Sequence, residues 1–115
     1  MNLKKLLYQN PDGISFKKNG SDYIPVYFKT GYFVALTDNE VTGRDRKQVI
    51  KEIQKLARDL NIKTYFYGYW KDNKTQKEYL DLSLHKTNKK EAVILGRQFN
   101  QKAIFDCLKL DSVYI

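Results

Sequence analysis

The sequence predicts an α+β domain with the ferredoxin-like order β-α-β-β-α-β, in which two helices cover one face of an antiparallel sheet. Two observations support this class. Apolar residues recur at helical spacing through Arg44–Leu60, which predicts one amphipathic helix. Apolar and polar residues alternate through Ile62–Lys71 and Glu78–His85, which predicts two strands directly after that helix.

Residues 1–31 are expected to form an N-terminal extension or an edge hairpin. Asn10–Gly13 and Asn19–Asp22 have turn chemistry, because proline presets φ and glycine accepts a positive φ. A short strand is expected between these turns, and another over Tyr23–Phe28. Pro25 places the latter at an edge, since proline cannot donate a ladder hydrogen bond. Residues 32–115 are then expected to form the single α+β domain.

The outer elements of the predicted order follow from local signals. Tyr32–Thr37 is an apolar run that predicts a buried strand. Asn88 followed by Glu91 is a capping box and predicts the start of the second helix, within which Gly96 indicates close packing. Lys102–Cys107 is a short predicted strand. The last four residues are expected to pair with it or to extend the sheet.

Composition limits the functional classes. A chain of 115 residues forms one domain, and its net charge of +8 favours polyanionic partners. Cys107 and His85 are the only cysteine and the only histidine, so we expect no disulfide, no metal site and no cofactor. No signal peptide or membrane span is predicted, and we expect no membrane partner and a cytoplasmic location in a bacterial host cell.

The most unusual pattern is a row of tyrosines in Ile62–Lys71. Strand side chains alternate between faces, so one set shares a face. Its members, extended by two residues of the following strand, are Lys63, Tyr65, Tyr67, Tyr69, Lys71, Tyr79 and His85. On the helix-free face this set would bind single-stranded nucleic acid, with bases stacked on rings. Alternatively, residues 1–31 cover the row, or a second copy packs on it as a homodimer.

A second candidate surface lies on the first predicted helix. Five basic residues fall within one narrow arc: Arg44, Lys47, Lys51, Lys55 and Arg58. Like charges four residues apart destabilise a helix, so an anionic partner would explain the arrangement. The alternative is a solvated face that Glu52 and Asp59 partly neutralise. In a ferredoxin-like fold this stripe and the tyrosine row lie on opposite faces.

The second half of the chain, from Ile62 to Ile115, resembles small uncharacterised accessory proteins of phages and conjugative elements of Gram-positive bacteria. The segments that carry the resemblance are Gly68–Trp70, Tyr79–Ser83, Asn88–Ala92 and Asn100–Asp106. The resemblance implies a protein that inhibits a host nucleic-acid-targeting defence complex, of the anti-CRISPR or anti-restriction type. Many such inhibitors are acidic mimics of DNA, and the basic charge of this chain argues against mimicry.

These observations favour a non-enzymatic binding protein of a mobile genetic element that engages a host nucleic-acid-processing complex. A first alternative is direct binding of single-stranded RNA or DNA through the tyrosine row. A second alternative is a small metal-independent nuclease centred on His85. The sequence identifies no catalytic residue.

Overall fold

The computed structural model describes all 115 residues. The helices are α1 (Leu3–Gln9), α2 (Arg46–Asp59) and α3 (Lys89–Gln98). The strands are β1 (Ile14–Asn19), β2 (Asp22–Pro25), β3 (Tyr32–Ala35), β4 (Asn39–Glu40), β5 (Phe66–Lys71), β6 (Glu78–Lys86), β7 (Ala103–Asp106) and β8 (Asp111–Tyr114). None of the helices has the length and apolarity that crossing a bilayer requires.

All strands join one antiparallel sheet in the order β2-β1-β5-β6-β3-β7-β8, and the short β4 also pairs with β6. The predicted α+β class is confirmed. The predicted ferredoxin-like order is not, because the strand order of this larger sheet differs from it. The β1–β2 hairpin extends the sheet beyond β5, and β8 extends it beyond β7. Alternation identifies strands, but it does not say at which edge an additional strand joins.

The sequence analysis missed α1, which has only seven residues. Its apolar residues Leu3, Leu6 and Leu7 have helical spacing and are buried in the core. Asn2 caps the helix by accepting a hydrogen bond from the backbone N–H of Lys5. A helix this short depends on packing rather than on propensity, which is why composition gave no signal for it.

The core lies between the helices and one face of the sheet. α2 contributes Val49, Ile50, Ile53 and Ala57, which share one buried cluster with Leu80 and Leu82 of β6. α2 begins at Arg46 because the Asp45 side chain accepts the N–H of Lys47 and caps the helix.

The structure confirms that Asn88 caps α3 and that Gly96 packs closely, but the reciprocal bond of the predicted capping box, from the Asn88 N–H to the Glu91 side chain, is not formed. The Asn88 side chain accepts a hydrogen bond from the N–H of Glu91, 3.2 Å away. Gly96 is buried at a close approach, since a Cβ there would meet the side chains of Ile104 and Ile115.

The opposite face of the sheet carries no helix, and residues 26–31 cross it. This segment connects β2 at one edge to β3 four strands away. Phe28 stacks on His85 with ring centroids 3.7 Å apart, and it packs edge-on against Phe33 and Phe66. The strand predicted over Tyr23–Phe28 therefore ends at Pro25, because the chain leaves the sheet edge there.

A carboxylic acid is buried at the centre of this helix-free face. Asp81 is only 6% exposed, and it accepts a hydrogen bond of 2.5 Å from the hydroxyl of Ser83. Gly68 lies directly opposite on β5, where any Cβ would collide with the Asp81 carboxyl group. Burial, together with the charge of nearby Asp38, raises the pKa of Asp81 to about 7.

Burial of the Asp81 carboxyl group is expected to lower the free energy of unfolding at neutral pH. Asp81→Asn should remove this loss of stability. The folded state favours the protonated acid, so the wild type loses stability as pH rises from about 4 to about 7 and then levels off. Asparagine keeps an acceptor for Ser83 without the charge. At pH 8 we expect the variant to be more stable by a few kcal/mol, at most about 4. Urea unfolding across this pH range measures the difference, and parallel stability curves for the two proteins would contradict it.

Candidate functional site

Tyr67 and Tyr69 face the helices, so the prediction that the tyrosine row lies on the helix-free face is wrong. They are 3% and 4% exposed and belong to the same core cluster as the buried residues of α2. Phe66, Gly68 and Trp70 take the opposite face. Alternation correctly grouped the side chains, but the grouping alone does not say which group the helices cover.

The N-terminal hairpin covers part of the tyrosine row. The ring of Phe16, from β1, stacks on Tyr67 with centroids 5.3 Å apart, and Tyr23 of β2 packs edge-on against Phe16 at 6.0 Å. Burial, and in addition the neighbouring Tyr65, raises the pKa of Tyr67 above its ordinary value. Tyr67 is therefore a neutral core residue and cannot stack on a base.

Tyr69 serves a different structural purpose. Its hydroxyl donates a hydrogen bond of 2.6 Å to Glu78, whose two carboxylate oxygens also accept bonds of 2.9 and 2.8 Å from Arg46. Partial burial would raise the pKa of Glu78, but these hydrogen bonds and the charge of Arg46 outweigh it and lower the pKa. The hydrogen bonds among Arg46, Glu78 and Tyr69 hold the start of α2 against the sheet.

At the other end of β5 the structure contains an open groove of about 350 Å³. It lies between the tip of the β1–β2 hairpin, the chain entering β5 and the middle of α2. We call it the basic groove, and its lining residues are Lys17, Lys18, Gly20, Gln54, Lys63, Tyr65 and Tyr67. No carboxylate lines it, and none of its lysines takes part in an ion pair.

Only some of the basic side chains in the stripe predicted on the first helix lack a carboxylate partner. Arg44 precedes α2 and binds both oxygens of Glu52 at 3.0 and 2.8 Å, and Lys55 pairs with Asp59 at 3.3 Å. The remaining members are exposed and have no carboxylate partner: Lys47, Lys51 and Arg58.

Two of these cations, Lys51 and Arg58, border the basic groove. Gln54 lines the groove, and Lys51 and Arg58 lie three residues before it and four after it, which makes them its neighbours on the helix surface. The prediction that helix stripe and tyrosine row lie on opposite faces is therefore wrong as well. Because Tyr65 and Tyr67 project toward the helices, the structure brings part of each set to one place.

The other predicted site residues lie elsewhere. Lys71 is at the far end of β5 from Lys63, near Glu78. Tyr79 stacks under Trp70 on the helix-free face, with centroids 4.5 Å apart. The Nε2 atom of His85 is 2.8 Å from the carbonyl oxygen of Thr30, and its ring lies against Phe28. These contacts give His85 a structural role beneath the crossing segment.

Four groove residues were not among the predicted site residues: Lys17, Lys18, Gly20 and Gln54. A signal for the two lysines existed, because they directly precede the turn at Asn19–Asp22 and so fall at a hairpin tip. Nothing local links that tip to α2. The long-range pairing of β1 with β5 brings them together.

Comparisons of the sequence and the structure with known proteins give no match to a family model, a curated protein or a solved structure.

A buried tyrosine and an exposed tyrosine should differ in how much they contribute to stability. Tyr67→Ala removes a buried ring from the core, and we expect it to lower the free energy of unfolding by about 3–5 kcal/mol. Tyr27→Ala is the control, because Tyr27 is 82% exposed, and we expect a change within about 0.5 kcal/mol. Urea unfolding measures both. Similar small effects from the two substitutions would show that Tyr67 is not a core residue.

Proposed function

We propose that this protein is a non-enzymatic nucleic-acid-binding protein whose basic groove holds the phosphate backbone of a single strand. The observation that carries the proposal is an open groove that contains no carboxylate and is lined by lysines without ion-pair partners: Lys18 on the helix side of β1 and Lys63 in the chain entering β5, with Lys17 beside them. Lysines that share a groove repel one another unless an anion neutralises them. A phosphate backbone supplies such anions at regular spacing.

The neighbouring cations extend this surface along α2. Lys51 and Arg58 flank Gln54, so a strand that leaves the groove passes over a second set of unpaired charges. Gln54 and the hydroxyl of Tyr65 add neutral hydrogen-bonding groups between the lysines. Together these groups favour a chain of phosphates over a single small anion.

The groove favours backbone recognition over base recognition. Tyr67 is buried, and Tyr65 is half-buried with its ring edge-on to Tyr67, 5.7 Å between centroids. Tyr67 offers no free flat face for a stacked base, so Tyr65 alone could not align a row of bases. We therefore expect binding that depends strongly on salt and weakly on nucleotide sequence.

We also propose the setting in which such binding acts. The resemblance of residues 62–115 to accessory proteins of mobile elements, together with the positive charge, favours a protein that engages a host nucleic-acid-processing or defence complex. In this setting the groove holds the nucleic acid of that complex.

We also propose a finer assignment of the fold. Within the sheet, β5, β6, β3 and β7 are consecutive neighbours, and α2 and α3 follow β3 and β6 in the chain. We propose that these elements form a ferredoxin-like unit to which the β1–β2 hairpin was added. The basic groove then lies at the junction of this unit with the added hairpin.

Removal of the groove charges tests the proposal. We expect a Lys17→Gln, Lys18→Gln and Lys63→Gln triple variant to bind a labelled oligonucleotide of about ten thymidines 10- to 100-fold more weakly at about 50 mM salt. Because fewer counterions are displaced, the slope of log affinity against log salt should become less steep by about 2. Fluorescence anisotropy between about 50 and 200 mM salt measures both quantities.

A matched control carries the same loss of charge at another place. Lys89, Lys90 and Lys102 are exposed, have no ion pair and do not line the groove. Their triple glutamine variant should bind nearly as tightly as the wild type. Equal weakening by both variants would mean that binding reflects net charge alone. No binding by the wild type at low salt would overturn the proposed function.

A further inference from the structure

The two edges of the sheet differ in how well they are protected. At one edge, β2 ends in Pro25, and the N–H of Tyr23 is occupied by the carbonyl oxygen of Met1 at 2.9 Å. Proline and a covering terminus are both means by which proteins block an edge from pairing with another strand. At the other edge, β8 has a partner only on the β7 side.

The hydrogen-bonding pattern of β8 leaves backbone groups pointing outward. The N–H of Ile115 bonds to the carbonyl of Lys102, so the bonded pairs alternate from that point along β7 and β8. Ser112 and Tyr114 therefore direct their N–H and C=O groups away from β7. In the monomer the N–H of Ser112 donates to the side chain of Asp111 at 2.8 Å, and that of Tyr114 has no protein acceptor.

Large apolar side chains surround this open edge. Leu108 is 68% exposed, Leu110 75% and Tyr114 82%, and Phe105 on β7 adds a partly exposed ring. Such a concentration of exposed apolar groups in one hairpin is typical of an interaction surface.

Leu110 gives independent evidence that this surface is used. Its φ of 54° lies in the left-handed region, where glycine or asparagine is the favourable residue and leucine is strained. Asn61, Gln76 and Asn100 occupy the same region elsewhere in the chain, and Leu110 is the only apolar residue among the four. Because Leu110 is exposed and its turn is strained, its side chain adds little to the stability of the monomer and is free to contact another molecule.

Charge favours a second copy of this chain as the occupant. The chain as a whole carries +8, so two copies repel each other over most of their surfaces. Residues 103–114 contain two acids and one lysine, and they form a patch without excess positive charge. This hairpin is therefore a place where two basic molecules can approach closely.

We propose that the protein forms a two-fold symmetric dimer through antiparallel pairing of β8 with β8 of a second copy. Ser112 of each copy lies opposite Tyr114 of the other, and these residues exchange backbone hydrogen bonds. The N–H of Ser112 then changes its acceptor from Asp111 to the partner's backbone. In this register Leu110 lies diagonally across from Tyr114 of the other copy, and the two side chains pack against each other.

Pairing of this kind closes at two subunits. The other edge of each sheet is blocked, so no further copy adds and no fibre grows. The interface is small, so we expect a weak dimer. The basic grooves lie near the β1–β2 edge of each copy, so the dimer holds two of them at opposite ends of one continuous sheet. The self-association itself does not depend on the proposed function.

Sedimentation velocity without nucleic acid tests the dimer. With loading concentrations from about 10 µM to about 1 mM, we expect the wild type to change from monomer to dimer. Leu110→Gly removes the side chain and relieves the strained turn. It should raise the dimer dissociation constant at least tenfold, while the melting temperature stays the same or rises.

Two further variants complete the test. Ser112→Pro removes the outward N–H without removing a bond to β7, and it should also raise the dissociation constant at least tenfold. Gln76→Gly, at a φ of 61°, is the control, because it relieves similar strain away from the edge and should leave dimerisation unchanged. A wild type that stays monomeric throughout, or a Leu110→Gly variant that dimerises like the wild type, would overturn the proposal.

Discussion

The burial of Tyr67 between the sheet and the helices is the constraint on which the rest of the molecule depends. Successive strand residues point to opposite faces, so placing Tyr67 and Tyr69 under the helices commits Phe66, Gly68 and Trp70 to the other side. The stack of Phe16 on Tyr67 fixes β1 beside β5. A shift of one residue would reverse every one of these assignments.

Both faces of the sheet follow from this choice. On the helix side, the rings fill the space under α2, while Tyr65 and Lys63 remain at the margin where the basic groove opens. On the helix-free side, Gly68 leaves room for the Asp81 carboxyl group, and residues 26–31 cross over the aromatic cluster. The sheet is therefore packed on both faces, and the basic groove opens at one margin.

The helices could be predicted from the sequence because their signals are local. The apolar spacing of α2 and the capping residue Asn88 depend on neighbours within one or two turns. The strands β5 and β6 were also predictable from alternation. The face that the helices cover could not be predicted, because both sets of β5 side chains contain large aromatic rings. Periodicity does not distinguish which of the two sets is buried under the helices.

The candidate site was predictable only in part. Lys51 and Arg58 follow from the helical arc, and Lys63 and Tyr65 follow from the strand pattern. Their proximity depends on which face α2 covers, and Lys17 and Lys18 join them through pairing between strands far apart in sequence. Arg44 and Lys55 belong to the same arc, yet local carboxylates neutralise them. Side-chain pairing of this kind depends on distances that a sequence does not contain.

The most direct test of this account is to map by NMR which backbone amides respond to an oligothymidine titration. If the basic groove binds the strand, shift changes should concentrate in the three segments around it, Lys17–Gly20, Lys51–Arg58 and Lys63–Tyr67. The amides of Tyr79–His85 should change little. Changes confined to the helix-free face, around Tyr79, Asp81 and His85, would contradict the account.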